Sequence, residues 1–191
     1  MRYYRPVSGL RERKKLATRA ALGAAARSLA VEVGTENVRV ADIADRAGVA
    51  PRTYNGYFGS REEAICALYA DRAERIADAL RARPADEPLL AAITAAITAE
   101  FLGPDPDRAA LRLITRDPAL RGEFLKDLGT LEAPLAAAIQ DRLAQPFAAK
   151  AIAAATVAAT RVALTHWLDS ADGKSFAHHA AQALQSIANL S

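Results

Sequence analysis

The chain has 191 residues, 51% of them hydrophobic, with 25 Lys and Arg against 22 Asp and Glu, a formal net charge of +3 and a single cysteine. That size suits one or two domains with a substantial core, and Cys66 alone excludes an internal disulfide or a zinc cage built on several thiolates. Charge interrupts the Ala-rich stretches before a run of about twenty apolar residues builds up, and the opening MRYYRPVSGLRERKK lacks a secretory apolar block, so a cytoplasmic protein is expected.

Apolar residues recur at three and four, Ala is abundant, and no segment alternates in the manner of a strand, so the expected fold class is all-α. A first helix is predicted from Leu10 to Val33, burying Leu22, Ala26, Leu29, Ala30 and Val33 and ended by Gly34. Then comes VADIADRAGVAPRTYNGYFGSR, residues 40–61: a short helix, a turn at Gly48 where positive φ is tolerated, and a second short helix opened by Pro51 at its first position. That order of parts is a helix-turn-helix, whose second helix enters the DNA major groove.

Ser60 and Glu63 form a capping box for a long fourth helix with Ile65, Leu68, Ile76 and Leu80 along one side. Seven further prolines, from Pro84 to Pro146, then divide the chain into helices near 87–102, 107–116, 118–143, 147–170 and 174–190. In the last two, Val157, Leu164 and Leu168, then Phe176, Ala180, Ala183, Ile187 and Leu190, form stripes among many alanines. Such stripes fit either a homodimer interface or the completion of the monomer core.

Charge divides unevenly. Residues 1–61 carry twelve Lys and Arg against five Asp and Glu, a net of +7, while residues 62–191 carry thirteen against seventeen, a net of −4. A positive segment that also holds the helix-turn-helix has the electrostatic footprint of a phosphate-binding surface.

The residues that carry a family likeness lie in this segment. Thr18, Arg19, Leu22, Ala25, Ala26, Leu29, Glu32 and Gly34, then Ile43, Ala44, Ala47, Gly48 and Val49, then Thr53, Tyr57, Phe58, Ser60 and Arg61 fall at fixed spacing. The pattern resembles the tetracycline-repressor (TetR) family of bacterial transcriptional regulators. The chain departs from it at Ala30, Arg39, Ala50 and Asn55, where the family usually has Phe, a capping Thr, a capping Ser and an aromatic residue.

The resemblance implies a DNA-binding domain over 1–61, a ligand-sensing and dimerisation domain over 62–191, a homodimer through the last two helices, a palindromic operator and repression relieved by a small molecule. In that frame Thr53, Tyr57, Ser60 and Arg61 suit phosphates, with Lys15, Arg19 and Arg39 as further phosphate candidates. Arg52, Tyr54 and Asn55 suit base edges, since Arg forks onto guanine and Asn onto adenine, although Tyr54 serves equally well as core. Arg2, Arg5, Arg11, Arg13 and Lys14 form a basic arm suited to a minor groove.

Phe101, Leu113, Phe124, Leu125, Leu128 and Trp167 are the bulky apolar candidates for a ligand pocket. His166, His178 and His179 do not have metal-ligand spacing, because neighbours on a helix point about 100° apart, and a surface or interface role is expected for them. No HExxH, glycine-rich phosphate loop or supported catalytic triad occurs, so neither an enzyme nor a cofactor is expected. The competing reading is a helical ligand- or protein-binding dimer of the same fold that has lost specific DNA binding, with Asn55 and Gly56 as its signs.

Overall fold

A computed structural model describes residues 9–101 and 107–188. Arg2 and Arg5 of the basic arm, Pro104, Pro106 and Leu190 lie outside the described residues. The described residues contain no strand. The chain separates into two units, the first ending at Ala67 and the second beginning at Leu68.

In the first unit α1 runs from Leu10 to Val33 and buries Leu22, Ala25, Ala26, Leu29 and Ala30, the spacing of a single helical face. Gly34 ends it at φ +84, its N–H donating to the Ala30 carbonyl. Val33, expected on the buried face, is 47% exposed because the chain leaves the helix at the next residue. A short 3-10 turn, Thr35–Asn37, leads through buried Val38 to α2, Val40–Arg46, which turns Ile43 and Ala44 inward.

Two bonds close the following turn: the Gly48 N–H donates to the Asp45 carbonyl and the Val49 N–H to that of Ala44, both at 3.0 Å. This pairing is a Schellman motif, and Gly48 at φ +69 occupies the left-handed position it requires. Next, α3 starts at Pro51 and stops at Tyr54. The expected continuation through Asn55 and Gly56 tightens instead into turns, with the N–H groups of Tyr57 and Phe58 both donating to the Tyr54 carbonyl. Finally α4, Arg61–Cys66, begins with the Ser60 hydroxyl accepting from the Glu63 N–H at 3.0 Å, while the Glu63 carboxylate accepts from the Gly59 N–H at 2.8 Å.

The long fourth helix is divided. After Cys66 the backbone leaves helical geometry at Ala67, and α5 runs from Ala70 to Ala82. Here the Asp127 carboxylate accepts both the Leu68 and Tyr69 N–H groups at 2.8 Å, so a distant side chain satisfies amide donors that an unbroken helix would have used internally.

In the second unit follow α6 (Leu89–Ala99), α7 (Arg108–Arg116), α8 (Pro118–Gly129), α9 (Glu132–Leu143), α10 (Pro146–Asp169) and α11 (Phe176–Ala188). The single helix expected over 118–143 is two, because Pro134 is tolerated only in a first turn and the chain restarts at Glu132 to put it there. The centre is α10, packed between α9 and α11, with Ala149, Ala153, Thr156, Val157, Thr160, Ala163 and Leu164 on its buried side. Small side chains there permit close approach of the neighbouring helices. By length and composition α10 could cross a membrane, but 44% of its most apolar window is buried inside the protein.

Phe176, Ala180 and Leu184 form the inner face of α11, whereas Ala183 is only half-buried and Ile187 is exposed. Phe176 meets Phe101 edge-on, with ring centroids 4.6 Å apart, and Trp167 at 5.7 Å. Arg108 covers the other side of this cluster, 4.3 Å from the Trp167 ring, and donates to the Trp167 carbonyl.

Candidate nucleic-acid interface and interior cavity

The Schellman turn sets the direction in which α3 leaves α2, and two internal anchors then hold it. Tyr54 is 1% exposed, and its hydroxyl donates to the Ser60 carbonyl at 2.7 Å. Burial, with the nearby charges of Glu63 and Glu62, pushes its phenol up to about 12. Buried Phe58 lies 5.8 Å from the Tyr54 ring and lies under the Arg19 guanidinium, which also donates to the Tyr57 carbonyl at 2.8 Å.

These anchors divide the expected DNA contacts by what their side chains already do. Lys15, Arg39, Arg52 and Asn55 are exposed, and Thr53 and Tyr57 are half-buried. Arg11, Arg13 and Lys14 are exposed along the start of α1. Tyr54, by contrast, is core, with its one donor spent inside the unit, because the tight turn after α3 folds its ring under Ser60. Ser60 is a helix cap.

Arg61 is held at three points: Nη1 donates to the Glu36 and Val38 carbonyls at 2.9 and 3.2 Å, and Nε pairs with Glu62 at 2.7 Å. It ties the segment before α2 to the start of α4. Arg19 is likewise a brace between α1 and the turn after α3. In the sequence all four suit DNA by chemistry, as hydroxyl, guanidinium or aromatic edge, but the sequence does not show whether the polar atom faces outward.

In the second unit a small apolar cavity lies among α5, α6, α9 and α10. Tyr69, Ala73 and Ile76 line it from α5 and its start, Ile97 and Phe101 from the end of α6, Leu131 and Leu135 from α9 and its start, and Thr156, Val157 and Thr160 from α10. Its free space is about 10 Å³, room for one water. Burial raises the Tyr69 phenol well above the ordinary tyrosine value, while the Arg72 charge opposes that rise.

Of the six pocket candidates, Phe101 alone lines this cavity. Phe124 packs 6.3 Å from Tyr69, Leu128 is buried elsewhere, Trp167 belongs to the aromatic cluster, Leu113 is half-buried and Leu125 is 44% exposed. The cavity residues that were missed had a weak signal: Tyr69, Ala73 and Ile76 at helical spacing, and Thr156 and Thr160 one turn apart inside an apolar stripe.

Folding brings the histidines together at the α10–α11 connection. His166 and His178 lie 5.2 and 5.7 Å from His179, ring to ring. His166 and His178 are exposed, whereas His179 is 3% exposed, inside the unit instead of at the expected surface or interface position, and its Nε2 lies 3.4 Å from Asp172. Among the described residues no group of His, Cys, Asp and Glu has an arrangement that holds a metal ion.

Comparison with known proteins decides the family. Residues 22–65 match the family described as bacterial regulatory proteins, tetR family, and residues 87–190 match the MftR C-terminal domain. The HTH-type transcriptional regulator TcmR of Streptomyces glaucescens is 34% identical over 178 residues, covering 86% of this chain and 79% of that protein. The chain belongs to the TetR family.

Among solved structures, the fatty acid degradation regulator FadR of Bacillus halodurans superposes with a TM-score of 0.57 at 18% identity, over 88% of this chain and 93% of that one. FadR of Bacillus subtilis, solved in complex with stearoyl-CoA, gives 0.54 at 18% identity over 87% and 95%. These two likenesses establish the TetR fold. With the family comes the character of a DNA-binding, ligand-responsive transcriptional regulator.

Proposed function

We propose that this TetR-family protein is a homodimeric repressor that binds a palindromic operator and releases it when an apolar or amphipathic small molecule enters the second unit. The observation that carries the reading is the α2–Gly48–α3 geometry, in which a Schellman turn and the buried Tyr54 fix a short helix whose Arg52 and Asn55 remain exposed. Arg52 and Asn55 are the base readers, Thr53, Tyr57, Lys15 and Arg39 the phosphate contacts. Residues 1–61 hold the DNA-reading function and residues 62–191 sensing and dimerisation. The protein acts in the cytoplasm, as a regulator and not an enzyme.

A dimer is needed because one recognition helix offers too few contacts to select a site within a genome. The last two helices are the proposed interface, and exposed Phe147 and Val162 on α10 support it. Twofold symmetry then places two recognition helices in successive major grooves, with half-sites about one helical turn apart.

Selection of bound sequences from a random duplex pool tests the function. A palindromic consensus is the expected result. Recovery of no consensus, with retained ligand binding, would instead favour a dimer that has lost DNA reading, a reading to which the early end of α3 before Asn55 and Gly56 lends support.

A further inference from the structure

Among the described residues of the second unit, Arg72 stands in a setting that the fold alone does not explain. Arg72 stands in the first turn of α5, three residues after Tyr69 and one before Ala73, both of which line the interior cavity. Its guanidinium carbon lies 5.0 Å from the centre of the Phe101 ring, and that ring is itself part of the cavity wall. Arg72 therefore does not line the cavity itself but stands against one of its lining rings.

The side chain is half-buried, and among the described residues no carboxylate forms an ion pair with it. Glu100, next to Phe101 in the chain, is engaged by Arg75, whose Nε and Nη2 lie 3.0 and 2.8 Å from one of its oxygens. The aromatic face of Phe101 is thus the partner of Arg72, and a ring quadrupole is a weaker counter-charge than an oxyanion.

Behind the ring the walls are Ile76, Ile97, Leu131 and Leu135, and the Thr160 hydroxyl is turned back onto the Thr156 carbonyl. With about 10 Å³ free, nothing larger than a water enters unless a wall moves. Phe101 is the wall whose partner an incoming anion would compete for.

We infer, building on the effector reading above, that Arg72 and Phe101 form the entrance of the effector site and that the effector is a carboxylate-headed amphiphile. Its carboxylate pairs with Arg72, the Phe101 ring gives way, and the apolar chain occupies the space lined by Ile76, Leu131 and Leu135. A bidentate guanidinium–carboxylate pair supplies the selectivity for an acid over a neutral head.

The test is calorimetric titration of the full-length protein with decanoate and with decanol, each below its aggregation concentration, with operator affinity measured in parallel. The wild-type protein is expected to bind decanoate about tenfold or more tightly than decanol, as a charge-assisted pair predicts. Arg72→Gln should remove that difference by weakening decanoate binding alone, and Arg72→Lys should restore part of it. Equal affinities in the wild-type protein, or an Arg72→Gln variant that still prefers the acid, overturn the inference. If decanol or another neutral amphiphile binds and lowers operator affinity while decanoate does not, the inference fails and the ligand-responsive reading stands. If no amphiphile binds or alters operator affinity, both fail.

Discussion

Arg19 holds Phe58 from above, its guanidinium 4.3 Å from the ring centre, and the same side chain donates to the Tyr57 carbonyl at 2.8 Å. This brace joins α1 to the turn behind α3. A partly shielded cation–π contact and a charged hydrogen bond together contribute about 1–3 kcal/mol. Arg19→Ala is therefore expected to lower unfolding stability by that amount in urea titration. Unchanged stability combined with a smaller salt dependence of DNA binding would return Arg19 to the role of a phosphate contact.

Arg61 presents a second case of a basic residue turned inward. Its bonds to the Glu36 and Val38 carbonyls satisfy acceptors at the entrance to α2, so Arg61→Ala leaves them dependent on water. The variant is expected to be destabilised by about 1–3 kcal/mol, with the slope of log affinity against log salt unchanged. Lys15→Ala and Arg39→Ala should do the reverse: stability held, slope reduced by about 0.9 for each phosphate released. A reduced slope for Arg61→Ala at undiminished stability contradicts this assignment.

Arg52 is exposed in the middle of α3, between Pro51 and Thr53, with its backbone position set by the turn before it. Arg52→Ala should cost about 1–3 kcal/mol on operator DNA, concentrated at one base pair, and much less on random duplex. Binding to operators mutated singly at each position reads this directly. Equal losses on operator and random DNA would mean that Arg52 meets only phosphate.

The architecture was legible where chemistry is local. Gly48 needs a left-handed position, Pro51 and Pro146 need first turns, and Ser60 with Glu63 needs a helix start, and each sits where its own backbone demands. What sequence did not show depends on partners far away in the chain. The break between α4 and α5 is held by Asp127, about sixty residues on, which no window over Cys66 to Ala70 contains.

The inward turn of Tyr54 and Arg61 is of the same kind, since a Tyr or Arg at the edge of a helix-turn-helix looks identical whether its polar tip finds a carbonyl or solvent. The cavity was harder still. Bulk was the criterion for its lining, yet Ala73, Thr156 and Thr160 line it because they leave space.

The exposed face of α10 offers a test of assembly. Phe147 is 87% and Val162 55% exposed, and Ala151, Ala154 and Ala158 lie between them at helical spacing, all open to solvent. Ala154→Arg removes no buried contact within the monomer, so helicity and melting of the isolated fold should survive. In sedimentation, however, the variant is expected to run as a monomer, because a guanidinium at the centre of a close helix–helix contact is both bulky and undersolvated. Operator affinity should fall with it. A dimer that persists in Ala154→Arg places the interface elsewhere.

Tyr54 makes stability depend on alkaline pH, in a direction fixed by its raised phenol. The folded unit holds this proton to about 12, because the ring is buried and the charges of Glu63 and Glu62 lie nearby, whereas the unfolded chain releases it near the ordinary value of about 10. Below about 10 both states are protonated and the contribution is complete; between about 10 and 12 only the folded state keeps the proton, so stability falls as pH rises. The loss amounts to about 2–3 kcal/mol by the upper end of that window. Tyr54→Phe keeps the ring, forfeits the Ser60 bond at a cost of about 0.5–1.5 kcal/mol at neutral pH, and has no phenol to titrate. Its stability should therefore decline less steeply than the wild-type protein's across the same interval, and because the wild-type loss exceeds the Ser60 bond's contribution the two curves should meet and cross within it. Parallel curves in denaturant titrations between pH 9 and 12 would show that the Tyr54 proton is not held more tightly in the folded unit.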